Sequence, residues 1–412
     1  MAIKYGLVLT GGGARAAYQA GALKGVREIL LRQEDRESRE SPESPESREG
    51  REGREGPEMQ RPDDFLPFPV IAGISAGAIN AAFLASRAGN FTDAIDQLCS
   101  LWDTLRIDQV LDTDLSALSG IGMRWIRDLS LGGALGKSQS NHLLETTPLK
   151  ELLASHINFK EIQNHISSKV LKGLALSVTN YRTGTAISFF DGDPDIQPWL
   201  RSARIGLRST LALEHVLASA SIPLLFAPVQ IGHSFYGDGG IRMTSPLSPA
   251  IHLGAEKILA IGIRYSRSDE YTLQINETQR MDHVSLADIS GVMLNAAFLD
   301  TLESDIERME RINQTLALMS DEARRNHPQN LRAIPVLTIR PSQDLGTLAS
   351  EQFHLFPRML RYLLKGIGAS DQQGWDLLSY LSFDKTYTGC LLDLGYRDAL
   401  AMKEKILEFF SE

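Results

Sequence analysis

Residues 70–80 read V-I-A-G-I-S-A-G-A-I-N, in which a short apolar run meets a glycine-flanked serine and then a run of small, helix-forming residues. This pattern predicts a buried strand, a sharp turn and a helix, with Ser75 at the apex of the turn. Gly73 and Gly77 lack the Cβ atoms that would collide in so tight an elbow, so the serine oxygen can stand clear above the sheet. The pentapeptide alone is a weak signal in a chain with 34 glycines, but the patterns around it provide the setting that a nucleophilic serine needs. We therefore predict that Ser75 is a nucleophile and not a plain turn serine.

A glycine loop near the N-terminus supplies a second motif. Ile3–Leu9 predicts the first strand and Ala14–Leu31 predicts a helix, and the loop between them contains Gly11, Gly12 and Gly13. Backbone N–H groups and the positive end of the helix converge in such a loop, which favours an anion. In acyl transfer, that anion is the oxyanion of the tetrahedral intermediate.

The same loop allows a competing interpretation, because G-G-G-A-R-A at residues 11–16 satisfies the loose dinucleotide-binding pattern G-x-G-x-x-A. That pattern needs an acidic residue at the end of the next strand, whereas the next strand here ends at the Ser75 elbow. We therefore favour the oxyanion interpretation. A partial phosphate-loop match at residues 136–138 is discounted, since Leu131 stands where the opening glycine would be.

The third motif is Y-G-D-G-G at residues 236–240, a carboxylate in a glycine-rich turn directly after a strand pattern. A serine nucleophile needs a base within hydrogen-bond reach, and either Asp238 or one of the nine histidines has to supply it. Among the histidines, only His233 lies next to a glycine after a strand pattern, and it falls in a predicted hairpin. An aspartate can act as the base if burial raises its pKa. Asp238 is therefore the favoured base, and a histidine stays the alternative.

At these three motifs the chain resembles the patatin-like lipid acyl hydrolases, whose members carry a G-G-G-x-[R/K]-G loop, a G-x-S-x-G elbow and a D-G-[G/A] motif. The motifs occur here in the same order, and the resemblance extends from Ile3 to about Ile263. It implies that lipid acyl esters are cleaved by a Ser-Asp dyad, in which Ser75 attacks and Asp238 accepts its proton. It also implies an oxyanion hole and a set of supporting residues. These are Gly11, Gly12 and Gly13 for the oxyanion hole, with Ala14, Arg15, Gly73, Gly77, Gly239 and Gly240 in support.

The sequence departs from the family pattern at two places and leaves other classes open. Ala16 stands where the family usually has a glycine, which would narrow the loop slightly, and T-S-P at residues 244–246 stands where Asn-x-Pro is common. One alternative is an α/β-hydrolase with a Ser-Asp-His triad, although that fold places its oxyanion loop later than the first strand. The other is a non-catalytic lipid-binding or scaffold protein, against which the intact Ser75 and Asp238 argue. Arg15 has two expected roles, to orient the loop or to contact a lipid phosphate.

Composition narrows the class of partner. The formal net charge of -9 argues against a nucleic-acid partner, and Cys99 and Cys390 are too few and too far apart for a disulfide framework or a cysteine-based zinc site. The motifs require no metal ion and no cofactor. The N-terminus lacks the apolar region of a signal peptide, and no uninterrupted apolar stretch reaches membrane-spanning length. We expect a cytoplasmic protein that acts on a lipid or acyl-ester substrate and is at most peripheral to a membrane.

Alternating strand and helix patterns predict an α/β fold with a doubly wound, mostly parallel sheet flanked by helices. We expect a catalytic domain over residues 1–270 and a mostly helical extension over residues 271–412. Residues 33–64 are low-complexity repeats that include 12 acidic residues and 6 arginines, which predicts a disordered insertion within the catalytic domain. The other elements follow from periodicity. They are helices at Phe91–Leu105, Pro148–Ile157, Leu207–Ala220, Leu286–Met319 (broken once), Phe353–Ile367 and Arg397–Phe410, hairpins at Val170–Phe190 and Ala227–Tyr236, and strands at Lys257–Ile263 and Ile334–Ile339.

The predicted helix Phe353–Ile367 has two interpretations. Its apolar residues share one face and its cations the other; the apolar set is Phe353, Phe356, Leu360, Leu363 and Leu364, and the cations are Arg358, Arg361 and Lys365. Such a face either packs on the core or adsorbs to an anionic membrane surface. The sequence favours packing and keeps peripheral membrane contact as the alternative. Leu115–Lys137 gives no clear prediction.

Overall fold

Ten strands among the described residues form a mostly parallel sheet at the centre of the fold. The computed structural model describes residues 3–40, 67–112, 142–265, 269–278, 283–325, 331–370 and 373–411. The strands are β1 (Tyr5–Leu9), β2 (Val70–Ile74), β3 (Gly173–Asn180), β4 (Thr185–Gly192), β5 (Trp199–Arg201), β6 (Arg204–Arg208), β7 (Val229–Ile231), β8 (Ser234–Asp238), β9 (Lys257–Ile261) and β10 (Val336–Ile339). The strand order is β10-β9-β1-β2-β3-β4-β6-β5, and β8 pairs with both β3 and β7. The predicted α/β class with a doubly wound, mostly parallel sheet is confirmed.

Helices cover both faces of the sheet, as continuous apolar strands require. In the N-terminal two thirds they are α1 (Ala17–Glu40), α2 (Ala76–Ala85), α3 (Phe91–Thr104), α4 (Thr147–His156), α5 (Phe159–Ser167), α6 (Leu213–Ser219) and α7 (Ser248–His252). In the remainder they are α8 (Asp269–Thr278), α9 (Leu286–Phe298), α10 (Asp300–Leu318), α11 (Asp321–Arg325), α12 (Leu345–Ser350), α13 (Arg358–Gly366), α14 (Trp375–Leu381), α15 (Lys385–Ala401) and α16 (Lys403–Ser411).

The C-terminal third is joined to the sheet and to the first helix. Its strand β10 pairs in parallel with β9, and its helix α15 packs along α1. This helix contact is close, because a Cβ on Gly21 of α1 would lie 2.0 Å from the Leu392 carbonyl oxygen, and one on Gly395 would lie 2.2 Å from the Tyr18 carbonyl oxygen. The Tyr18 hydroxyl also donates a hydrogen bond to Asp398 Oδ2 at 3.0 Å. The C-terminal helices are therefore part of the same packed unit as α1.

Predictions that rest on local signals are confirmed. Both hairpins form, since β3 pairs antiparallel with β4 and β7 with β8. The long helix predicted over Leu286–Met319 is broken once, at Leu299 between α9 and α10. The elbow around Ser75 is a strand, a turn and a helix as expected.

Three helix predictions need correction. Leu207–Ala220 is not one helix, because β6 runs to Arg208 and α6 begins only at Leu213; the parallel pairing of β6 with β4 outweighs local helix propensity. The helix predicted over Phe353–Ile367 is a short 3₁₀ turn followed by α13, since Pro357 precedes α13 and cannot continue a helix from upstream. The C-terminal helix predicted over Arg397–Phe410 is instead the end of α15 and then α16.

The first helix is longer than its apolar pattern predicts. It ends at Glu40 instead of Leu31, so its last turns extend into the low-complexity segment predicted as a disordered insertion. Glutamate and arginine favour helix, which is why a segment with little to bury can still prolong α1. Residues 41–66 lie outside the described residues, as do Leu115–Lys137 and the discounted match at residues 136–138.

Candidate active site

Ser75 sits at a strained elbow between β2 and α2. Its backbone has φ 56° and ψ -132°, a left-handed φ that non-glycine residues rarely adopt. The elbow is tight enough to exclude side chains at both flanking glycines. A Cβ on Gly73 would lie 2.6 Å from the Gly77 carbonyl oxygen, and one on Gly77 would lie 2.2 Å from the Leu9 carbonyl oxygen. The turn therefore depends on glycine at both positions, as the sequence predicts.

A second serine, which no motif in the sequence indicated, stabilises this turn. Ser219, at the end of α6, accepts a hydrogen bond from the Ser75 amide at 2.9 Å and donates one to the Ser177 carbonyl oxygen at 2.6 Å. It is fully buried, so both bonds form away from water, where a lost partner is costly. Ser219 thus fixes the backbone of the elbow to β3 and offsets part of the strain at Ser75.

The glycine loop lies directly against the serine. A Cβ on Gly11 would come within 2.4 Å of Ser75 Cβ, so only glycine allows this approach. Gly13, with φ 57°, opens a short 3₁₀ helix over Gly13–Ala16 that also holds Ala14, which is buried, and leads into α1. Within the described part of the chain, the amides of Gly12 and Gly13 make no hydrogen bond. They are free donors at the start of a helix, which suits an anion beside Ser75.

Asp238 is placed beside Ser75 by the register of β3. Along one edge of β3, Ser177 pairs with Ile74 of β2, and the next residue, Val178, pairs with Asp238 of β8. The sheet thus brings the end of β2 and the end of β8 to neighbouring positions. Ser75 and Asp238 are therefore neighbours in the fold, although they lie 163 positions apart in the sequence.

The backbone around Asp238 is held on both sides. Its amide donates to the Ser221 carbonyl oxygen at 2.9 Å, and its carbonyl oxygen accepts from Thr179 Oγ1 at 2.7 Å. Its two glycine neighbours have no room for side chains. A Cβ on Gly239 would lie 2.1 Å from the Ser177 carbonyl oxygen, and one on Gly240 would lie 2.1 Å from the Phe298 ring.

The Asp238 carboxylate is fully buried and only half satisfied. Oδ1 accepts a hydrogen bond from the Gly240 amide at 2.9 Å, whereas Oδ2 has no partner among the described residues. Burial raises the pKa of Asp238 to about 7, an effect that the nearby Ser75 hydroxyl and the Gly240 amide oppose. Ser75 is near enough to affect the pKa of Asp238 but forms no hydrogen bond of ordinary geometry with Oδ2, and such contacts often tighten only when substrate binds. The Asp238 carboxylate therefore has one oxygen free to accept a proton, and its pKa suits general-base chemistry near neutral pH.

A narrow apolar pocket begins at Ser75. Its walls come from α2, α3, α4, the segment after α6 and the turn between α14 and α15. They include Ile79, Trp102, Leu105, Leu153, Phe226 and Phe383. Trp102 is fixed in the wall because its indole N–H donates to Asn80 Oδ1 at 2.8 Å. Among the described lining residues, Ser75 and the indole of Trp102 carry the only polar side-chain groups. The pocket therefore suits a hydrocarbon chain whose reacting end lies at Ser75.

The family model of patatin-like phospholipases matches residues 7–251, a span that includes all three motifs. The chain belongs to the patatin-like phospholipase family. Membership supports lipid acyl hydrolase activity in general terms. A solved structure, that of VipD from Legionella pneumophila, is similar to this chain with a TM-score of 0.35 and 12% identity, over 98% of this chain and 67% of that one. No protein of curated function matches the chain.

Arg15 connects the patatin-like loop to helices beyond the matched span. Its guanidinium is buried, and it donates to Ser379 Oγ at 2.7 Å, to Asp376 Oδ1 at 2.8 Å and to Asn295 Oδ1 at 3.3 Å. It also stacks over the Tyr380 ring, 4.6 Å from the centroid. These contacts use the guanidinium for structure, which favours the expected role of orienting the loop over contact with a lipid phosphate. Nothing in the sequence marked its partners, which lie about 280 or more positions away.

No histidine among the described residues forms a hydrogen bond with Ser75 or Asp238. His233, the sequence alternative, lies at the tip of the hairpin between β7 and β8. His215 lies in α6, where its ring contacts Phe189 and accepts from the Ala212 amide at 3.1 Å. The arrangement around Ser75 therefore has an aspartate as its titratable partner.

Proposed function

We propose that this protein hydrolyses carboxylic ester bonds of phospholipids or related acyl lipids through a Ser75-Asp238 dyad and an acyl-serine intermediate. The observation that carries the proposal is the buried Asp238 carboxylate, whose Oδ2 is unpaired and which neighbours the strained Ser75 along one edge of β3. The free amides of Gly12 and Gly13 and the apolar pocket support the same reaction.

In the first half-reaction, Ser75 Oγ attacks the ester carbonyl carbon while Asp238 accepts the hydroxyl proton. The carbonyl oxygen becomes an oxyanion that the Gly12 and Gly13 amides stabilise, because preorganised donors act most strongly where charge develops. As the C–O bond breaks, Asp238 returns the proton to the leaving alcohol, and the acyl group stays on Ser75. The acyl chain occupies the apolar pocket lined by Trp102.

In the second half-reaction, water takes the place of the alcohol. Asp238 accepts a proton from the water as its oxygen attacks the acyl carbon, and the same oxyanion donors are used again. The tetrahedral intermediate collapses, Ser75 regains its proton from Asp238, and the fatty acid leaves. Because both steps need the carboxylate form, a pKa near 7 keeps Asp238 ionised in a useful fraction of molecules while leaving it basic enough to work.

A triad enzyme and a non-catalytic scaffold are the competing functions. The triad would need a histidine next to Ser75, and the partner described there is Asp238. A scaffold has no use for a left-handed serine or for an unpaired buried carboxylate, each of which costs stability. We also propose that residues 1–270 form the catalytic domain and that residues 271–412 complete it, since Arg15 is held by helices from that part.

The test uses p-nitrophenyl butyrate, a soluble ester, and a fluorophosphonate probe detected by mass spectrometry. Ser75→Ala and Asp238→Asn should each lower kcat by more than about 10⁴-fold, and the double variant should be little worse, because the two groups act as one unit. The probe should label Ser75. Ser86→Ala, which alters another buried serine at the far end of α2, is the matched control and should retain both labelling and turnover.

The histidines provide the opposing outcome. Replacing each in turn should lower kcat by no more than the roughly 10²-fold expected at the weaker end of general-base loss. A folded histidine variant as inactive as Ser75→Ala would move the protein to the triad class. A fully active Asp238→Asn would remove the base assigned here.

A further inference from the structure

Helix α9 exposes an apolar face to solvent. Of its 13 residues only Asp288 is charged, and that carboxylate accepts hydrogen bonds from Ser285 and from the Gly374 amide. The large side chains that point to solvent are Leu286, Ile289, Val292 and Met293, which are 62%, 47%, 66% and 66% exposed. A helix that is apolar all round is normally buried, and an exposed apolar patch usually marks an interaction surface.

The opposite face of α9 contacts the candidate active site. Phe298 packs against Gly240, Asn295 accepts from Arg15 and from the Tyr380 hydroxyl, and Gly291 packs against Asp376. One helix, roughly 10 Å in diameter, therefore separates the exposed face from residues that contact the loops of the dyad and the oxyanion donors.

A cationic helix adjoins this face at its N-terminal end. The Ala287 amide at the start of α9 donates to the Ile367 carbonyl oxygen at 2.9 Å, directly after α13. Helix α13 carries three cations, Arg358, Arg361 and Lys365, and no acidic residue. Leu360 and Leu364 of α13 are buried in the core, whereas Tyr362 and Leu363 are exposed, so the helix adds both charge and some apolar area to the surface.

We propose that the exposed face of α9, with the cations of α13 at its edge, docks the protein on an anionic lipid surface and so brings the active site to its substrate. The inference rests on the proposed function, because only a lipid substrate gives the site a reason to lie at a bilayer. Apolar side chains enter the interfacial region and the cations meet anionic headgroups, which is the pattern of peripheral membrane helices. No helix in the described part of the chain has the length and apolarity that a membrane span needs.

The test separates docking from catalysis. Ser75→Ala protein, which cannot turn over lipid by the proposed mechanism, is mixed with vesicles of phosphatidylcholine and phosphatidylglycerol, and the bound fraction is measured by co-sedimentation. Adding Val292→Gln and Met293→Gln should weaken partitioning about tenfold or more, because two exposed apolar side chains lose their place in the interface. The matched control adds Leu200→Gln and Leu318→Gln, which alter side chains that are 73% and 90% exposed elsewhere, and should bind like the parent.

A second arm tests the charge. Changing Arg358, Arg361 and Lys365 together to glutamine should abolish the preference for phosphatidylglycerol over pure phosphatidylcholine and leave the weaker apolar binding. In protein with Ser75 intact, Val292→Gln with Met293→Gln should hydrolyse p-nitrophenyl butyrate at the parent rate. If that ester is not hydrolysed by any form, the proposed function fails while the binding result stands.

Two results would overturn the docking proposal. One is equal vesicle binding by the Val292→Gln, Met293→Gln protein and its parent, or no binding by either. The other is sedimentation in the absence of lipid that shows a dimer which the same two changes dissociate, since the face would then belong to a second copy of the chain.

Discussion

Replacing Asp238 with asparagine tests two properties of the buried carboxylate, its role in catalysis and its cost to the stability of the fold. Burial raises the pKa of Asp238 from its ordinary value to about 7. Between about pH 4 and pH 7, the folded protein therefore keeps a proton that the unfolded chain releases. The stability contributed by this group is present below that window and is lost as the pH rises through it. The asparagine side chain does not ionise, so the stability of Asp238→Asn lacks this pH dependence.

The magnitude follows from the size of the shift. A rise of about three pKa units corresponds to roughly 4 kcal/mol, which is an order-of-magnitude figure for a fully buried group. Relative to the wild type, the free energy of unfolding of Asp238→Asn should therefore increase by up to about 1.4 kcal/mol per pH unit across the window. Its Oδ1 keeps the bond from the Gly240 amide, while the new NH₂ group lacks a partner at a cost of about 1–3 kcal/mol. That cost is independent of pH, so the slope identifies the carboxylate.

The assay is urea unfolding of both proteins at pH 5 and pH 8, together with the pH profile of kcat/KM for p-nitrophenyl butyrate. For the wild type, kcat/KM should rise about tenfold per pH unit below pH 7 and level off above it, because the free enzyme must ionise Asp238. A stability difference that is the same at pH 5 and pH 8 would refute the reasoning. A kcat/KM that stays flat down to pH 5 would do so as well, since either result means that Asp238 ionises at its ordinary value.

Two further predictions concern the pocket and the loop. Phe226 lines both the acyl pocket and a neighbouring groove, so Phe226→Ala should join the two and shift kcat/KM several-fold towards longer p-nitrophenyl esters. The control Leu152→Ala alters only the acyl pocket and should not cause this shift. If both variants show the same dependence of kcat/KM on ester chain length, Phe226 is not a barrier between the two cavities. Arg15→Gln should lower the free energy of unfolding by about 2 kcal/mol and lower kcat, measured by urea unfolding and ester hydrolysis, because buried Ser379 and partly exposed Asp376 lose a charged donor. Arg15→Lys should restore little of either, since an ammonium cannot make the forked contacts, and full recovery would contradict that role.

The parts of the site that could be predicted from the sequence are those set by local geometry. Gly73 indicates an elbow because the collision that it avoids involves Gly77 and Ala78, which are close in the chain, whereas the collision at Gly77 involves the distant Leu9. The hairpins and the break in the long helix at Leu299 also follow from short-range patterns. The Gly73 side of the elbow, the hairpins and the helix break are each decided by residues within a few positions of one another.

The rest depends on contacts that no local pattern contains. Helix propensity around Leu207 gave the wrong element because β6 is stabilised by pairing with β4. The sequence left two roles open for Arg15 because its partners Ser379 and Asp376 are more than 360 positions away. Ser219, which braces the elbow, resembles any other buried serine until its two hydrogen bonds are known.

The proximity of Ser75 and Asp238 depends both on local sequence motifs and on long-range strand pairing. A motif supplies each residue, but their distance is set by β3, where Ser177 pairs with β2 and the adjacent Val178 pairs with β8. Side chains on a strand alternate between faces, so a shift of one residue in either pairing would turn one partner away from the other. The carbonyl oxygen of Ser177 in β3 also accepts the hydrogen bond from Ser219. The part of β3 that sets the pairing with β2 and β8 therefore also holds the strained turn at Ser75. Changes that loosen β3 should therefore impair the dyad without touching either of its members.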